Sequence, residues 1–191
     1  MEESEEPDQR DAYLAQFDPL RDPKTDLVVE STHDYATRMQ CSLLPRWPQE
    51  VLIEWFHRHA RHIWQYAFLG FENLEFQLER WPAERIPGRE AFAREFRDDL
   101  RSVQQRADGG QWIARYMLEH GTWNTPIILL RNHDGEIRWP AGNPLQAPFH
   151  LLEGHNRLSF LNALRDANVC RPEHDVWLAT KSGKAVPFTF K

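Results

Sequence analysis

The sequence predicts an α+β fold: a small mixed β-sheet flanked by helices, with an N-terminal helical extension. Three observations predict it. Short runs such as Thr125–Leu130 (TPIILL) have the length and apolar content of buried strands. Stripes at helical spacing lie between those runs, as at Phe92, Phe96, Leu100 and Val103. The apolar run Phe149–Leu152 passes through Glu153-Gly154 straight into a helical pattern, the signature of a strand that turns into a helix. At 191 residues, 41% hydrophobic and with eight Trp, the chain has material for one packed domain with a sizeable appendage.

The elements follow in order. Residues 1–26, with Pro7, Pro19 and Pro23 among charges, read as mostly irregular, with a short helix near Asp11–Gln16. Asp34–Leu44 is ambiguous. Pro48 suits a first helical position, and Val51, Leu52, Trp55, Phe56, His59 and Ile63 then predict an amphipathic helix to about residue 64. Within Phe71–Arg85, Leu74, Phe76 and Leu78 alternate with Glu75, Gln77 and Glu79, which predicts a strand with one apolar face. The stripe from Phe92 to Val103 is a helix, interrupted at Ala107-Asp108-Gly109-Gly110. Trp112, Ile113, Tyr116 and Met117 restart it, and Gly121 is placed to cap it in the left-handed conformation. Thr125–Leu130 is the central strand, Asn132-His133-Asp134-Gly135 a turn, and Glu136–Trp139 a short returning strand. A proline-rich loop leads to the strand Phe149–Leu152 and a helix over about Asn156–Ala167, with Leu158, Leu161 and Leu164, and Phe160 and Ala167 beside them, on its buried face. Asp175–Thr180 is the last core strand.

Charge divides the chain. Residues 1–34 hold 11 Asp/Glu against 3 Lys/Arg, a net of −8, and the remainder carries +2. The expected organisation is an acidic, flexible leader over 1–34, a helical extension over 35–70 and the sheet-bearing core over 71–191. A near-neutral body argues against a duplex-DNA binder. No apolar run is long enough to span a membrane, and the acidic N-terminus is not a secretory signal. Two cysteines, Cys41 and Cys170, make no disulfide framework and read as free thiols in a reducing cytoplasm. Walker A, GxGxxG, HExxH, GxSxG and CxxC are all missing. His59 and His62 have the spacing of a metal pair, but no carboxylate or Cys joins them, so no metal ligand set is assigned. Core packing accounts for most of the Trp residues, with Trp123 and Trp139 the best candidates for something more.

Chemistry concentrates at Glu153-Gly154-His155-Asn156-Arg157. Backbone N–H groups at a helix start, together with the helix dipole, favour an anion. Arg157 in the first turn adds a guanidinium that matches phosphate oxygens. Gly154, His155, Asn156 and Arg157 are therefore the candidate phosphate or nucleotide ligands, with Glu153 or His155 available for proton chemistry.

The segment from about Leu74 to Lys181 resembles the ParB/sulfiredoxin-like superfamily. The order of elements matches: the strand at Leu74, helices ending at IARYMLEHG, the Pro126–Leu130 strand, a hairpin at Asp134-Gly135, and a strand running into a G-x-x-R turn and helix. Leu151–Leu158, LLEGHNRL, looks like the [DE]-G-H-x-R-L form of that turn, nearest to the kinase-like branch. The likeness covers a little over half of the chain. It implies nucleotide binding, since members use ATP, ADP or CTP with the phosphates at this turn, and it implies Mg²⁺. It also implies a catalytic base near the first strand, where Glu84 is the nearest acid. Two departures narrow the reading. His155 stands where sulfiredoxins carry their Cys, which argues against sulfinic-acid repair. The short remainder after the motif helix and the lack of basic excess argue against chromosome partitioning.

Three functions follow, in order of preference. The first is a nucleotide-dependent phosphotransferase or phosphohydrolase, with Glu153, His155 and Glu84 as catalytic candidates and an unidentified small molecule as second substrate. The second is a non-catalytic ligand-sensing or protein-docking module, with residues 1–70 as the surface for a protein partner. The third is a nucleic-acid binder or nuclease.

Overall fold

A computed structural model describes residues 9–60, 62–88 and 98–182. Phe92, Phe96 and Arg61, the first eight residues and residues 183–191 lie outside the described residues. The chain is mixed α+β, with a four-stranded sheet flanked by helices. It forms two compact units: the described part of Met1–Glu75 with Lys181 and Ser182, and Phe76–Thr180.

The first unit is built around aromatic rings. Helices α1 (Gln9–Ala15) and α2 (Thr32–Ser42) precede α3 (Gln49–Val51), which continues into a π-helical stretch, Leu52–His57. Ser31 caps α2 by accepting the Asp34 N–H. The ambiguity over Asp34–Leu44 thus resolves as helix, which buries Tyr35, Ala36 and Met39. Phe17, Trp47, Trp55, Phe56 and Phe71 are all buried, and most of their ring contacts are edge to face, as between Phe56 and Phe71 at 4.7 Å, while Trp47 and Trp55 stack. The expected helix to residue 64 is shorter. The wide π turn brings both Trp55 and Phe56 onto the cluster, and a separate 3-10 helix, Ile63–Leu69, follows. Phe17 of the acidic N-terminal segment belongs to this cluster, and Glu30 of the same segment takes a two-pronged bond from Arg38, 2.8 Å from each nitrogen.

The second unit holds the sheet. Strands β1 (Leu74–Pro82), β2 (Ile127–Arg131), β3 (Phe149–Glu153) and β4 (Glu173–Lys181) lie in the order β1-β4-β2-β3. β2 runs antiparallel to β3 and parallel to β4, so it is central and buried on both faces, as its unbroken Ile-Ile-Leu-Leu run requires. The sheet coils strongly. β4 and β2 separate β1 from β3 in the ladder, yet the rings of Trp81 and Phe149 lie 4.8 Å apart.

β1 departs from the predicted alternation. Leu74 is buried, but Leu78 is 48% exposed, and Trp81 on the opposite parity enters the core. The strand thus changes its buried face along its length. A second correction concerns the partner of β2. Glu136–Trp139 is not a returning strand: only an isolated bridge, Arg138 to Pro144, forms there, and β3 pairs with β2 instead.

Helices α4 (Leu100–Asp108) and α5 (Trp112–His120) meet at the predicted Gly109-Gly110 break. Trp112 is 56% exposed rather than core, and Ala114 and Met117 carry the buried stripe. Helix α6 (His155–Asp166) packs against β2, α4 and α5, and every residue from Arg157 to Leu164 is buried. It thus buries Ser159 and Asn162 along with the expected Leu158, Phe160, Leu161 and Leu164, while Ala167, also expected there, is half-buried. Two of its polar residues have partners: Ser159 Oγ donates to Asp98 at 2.9 Å, and Asn162 accepts from Arg165 at 3.2 Å. Among the described residues no helix is long and apolar enough to cross a membrane, and both cysteines are free.

Gly121 caps α5 at φ 66°, as predicted. A Cβ there would stand 2.9 Å from the Val169 carbonyl oxygen, whereas at Gly135, also at φ 66°, it would meet nothing within 4 Å. Urea denaturation should show a cost of about 1 kcal/mol for Gly135→Ala, from the left-handed backbone alone, and at least about twice that for Gly121→Ala.

Candidate functional site

The end of β3 is irregular, and the irregularity aims the turn. Leu151 pairs with Leu129, but Glu153 pairs with Ile128, so Leu152 is an extra residue in the ladder. Such a bulge bends the strand and redirects the side chains after it. Gly154 follows at φ 104°, a conformation that L side chains rarely adopt. A Cβ on Gly154 would lie 2.6 Å from Ile127 Cγ2 and 3.2 Å from Arg157 Nε. The glycine therefore meets two demands at once, a left-handed backbone and close approach to the central strand.

α6 starts at the next residue. Leu158 N–H donates to the Gly154 carbonyl at 2.9 Å, closing the first turn. Gly154 sits at the cap position and has no side chain with which to cap the first-turn amides. His155 is half-buried and Asn156 exposed.

Arg157 is drawn inward. Its side chain is only 6% exposed, and its Nη2 lies 3.5 Å from Glu153 Oε1, four residues back. The packing of α6 draws the guanidinium inward, and a buried cation needs a counter-charge, which Glu153 supplies. At 3.5 Å this is a long contact.

Beyond the turn stands His150 on β3. Burial holds its pKa down to about 4, and the nearby His155 charge adds to the effect. The imidazole is therefore neutral, and it meets the Trp139 ring in a T-shaped contact with centroids 5.8 Å apart.

The structure brings Glu153, Gly154, His155, Asn156 and Arg157 together on one turn. Glu84 stands elsewhere, exposed in a 3-10 turn, Ala83–Arg85. The residues just after it, Ile86 and Pro87, accept hydrogen bonds from Arg165 and Asn162 in the second half of α6, away from its N-terminus. Among the described residues no group of three His, Cys, Asp or Glu could hold a metal ion. Two clefts lie apart from the turn: one of about 480 Å³ between α4 and α5, beside Asp108 and Arg115, and one of about 260 Å³ beside Trp47 and Glu72.

Sequence reasoning missed two supports of the site. The first is Asp98, which is 7% exposed and bonds both Ser159 of α6 and Arg106 of α4. No local pattern announces it, because its partners lie 61 and 8 residues away. The second is Asn132, read as a turn residue, whose side chain organises the loop before β3. An Asn directly after a buried strand and ahead of an Asp-Gly pair was the available signal.

Two predictions follow from this geometry. Gly154→Ala should destabilise the protein by about 3 kcal/mol, and in a double-mutant cycle with Ile127→Ala the combined loss should be smaller than the sum, since Ile127 is the atom-level obstacle. Stability should also fall with acid. The unfolded chain protonates His150 below about pH 6.5, whereas the folded protein holds it neutral down to about 4. The loss therefore begins below 6.5, levels off below 4 and reaches about 3 kcal/mol, and His150→Leu should remove it from the pH profile of thermal unfolding.

No protein-family profile, no curated protein and no solved structure matches the chain.

Proposed function

We propose that the chain binds the phosphate groups of a nucleotide at the Glu153–Arg157 turn and catalyses phosphoryl transfer or hydrolysis there. One observation carries the reading. A side-chain-free cap, Gly154, opens a helix that is buried from Arg157 to Leu164, and the buried Arg157 belongs to its first turn. First-turn amides, the helix dipole and an Arg on the same turn together suit a phosphate.

Glu153 gives the site its second property. It is the counter-charge of Arg157. A phosphate arriving at the guanidinium takes over that role and leaves the carboxylate beside the ligand. Glu153 can then accept a proton or face a cation brought in by the ligand. Mg²⁺ commonly binds through one or two carboxylates together with substrate phosphates, so a single carboxylate fits an ion that arrives with the nucleotide. Phosphoryl transfer depends mostly on positioning and charge stabilisation, and Arg157 with the helix amides supplies both. His155, half-buried at the helix start, is the second candidate for proton transfer.

Calorimetric titration with ATP, ADP and CTP, each with Mg²⁺, tests the reading. Wild type is expected to bind at least one of them. Arg157→Lys retains the charge that Glu153 needs but loses the planar fork, and should weaken binding by about tenfold. Glu153→Gln should retain binding and lose turnover. Binding without turnover in wild type would remove the catalytic half of the proposal. No binding at all would remove the whole of it.

A further inference from the structure

The connection between β2 and β3, residues 132–148, is long for an antiparallel link and contains no regular element. It is nevertheless firmly built. Asn132 is 3% exposed. Its Nδ2 donates to the carbonyls of Leu145 at 3.0 Å and Ile137 at 3.2 Å, and its Oδ1 accepts the Ile137 N–H at 2.9 Å. The Leu145 N–H donates back to the Ile137 carbonyl at 3.0 Å. At the tip, Trp139 N–H donates to Asn143 and Gly142 N–H donates to Trp139, both at 2.8 Å. One side chain thus pins both legs of the loop, and the pinned loop presents Trp139.

The position of that ring follows from the register of β3. Trp139 meets His150 edge to face at an interplanar angle of 86°. His150 precedes Glu153 by three residues, about 10 Å along a strand. His155, on the turn itself, lies close enough to His150 for its charge to be felt. The half-buried Trp139 indole is thus packed on the strand that leads into the turn. Long structured loops in compact domains commonly serve a site.

We propose that Trp139 stacks on the base of the nucleotide whose phosphates the Glu153–Arg157 turn holds. The inference rests on the phosphate-binding reading of that turn. An indole face accepts any base, because every base has a π face. The ligand class is therefore nucleoside di- and triphosphates with little discrimination between bases. Asn132 acts as a positioning residue, since it holds the loop and touches no ligand.

Calorimetry on the full chain with Mg²⁺ tests this, with ADP, CDP and inorganic pyrophosphate as probes. Wild type should bind both nucleotides at least about tenfold more tightly than pyrophosphate. Trp139→Leu, which keeps apolar bulk but loses the ring face, should abolish that preference and leave pyrophosphate binding within about twofold of wild type. Trp139→Phe should keep most of the preference. If wild type binds pyrophosphate as tightly as the nucleotides, or if Trp139→Leu keeps the preference, the base-stacking role is overturned while the phosphate turn stands. If wild type binds none of the three, the phosphate reading falls and this inference with it. Should Trp139→Leu lack a cooperative thermal transition, the wild-type preference alone decides, and a value below about tenfold overturns the proposal.

Discussion

The second unit depends on the close contact between Gly154 and Ile127. β3 must end, turn and launch α6 within the space left by the central strand, and only a residue without a Cβ fits there. Because the turn abuts β2, α6 is held against the sheet from its first residue. α4 and α5 then close over its other side. A helix enclosed in this way cannot shift along its axis without disturbing the sheet, so the geometry of its N-terminus is set by the whole core.

Enclosure raises a problem of polarity. α6 carries Arg157, Ser159 and Asn162 among its buried residues. A buried hydroxyl, amide or cation is costly without a partner. Ser159 and Asp98 exchange hydrogen bonds, Asp98 also receives Arg106, and Asn162 bonds Arg165. Arg157 turns to Glu153. The bonds through Asp98 join α6 to α4 and serve the fold. The last pair differs, since its carboxylate lies on the residue immediately before the cap and its cation one turn inside. It therefore neutralises charge at the one place where the helix start has no capping side chain.

The two units solve the packing problem by different means. The first relies on edge-to-face aromatic contacts around Phe56 and Phe71, with the π stretch turning adjacent rings inward. The second relies on aliphatic layers, with β2 and β4 contributing Ile127, Leu129, Val176 and Leu178 to one continuous core. Trp81 and Phe149 close the coil of the sheet above that core.

The sequence by itself determined what is local. The run from Phe149 to Ala167 was legible as strand, turn and helix because a short apolar run, a glycine and a 3.6-residue period occupy consecutive residues, and the structure places β3 and α6 there. The break at Gly109-Gly110 and the left-handed cap at Gly121 were legible for the same reason. Only the tertiary structure decided which residues are enclosed and which strands pair. Ser159 and Asn162 look like a solvated face until Asp98 and Pro87 are brought to them from far along the chain. Glu136–Trp139 looked like the partner of β2, but the Asn132 side chain claims the backbone of Ile137, and Phe149–Glu153 takes the edge instead. Arg157 was legible as a member of the site, but its inward placement beside Glu153 was not. That placement depends on the depth at which α6 is buried, a property of the assembled core that no local spacing encodes.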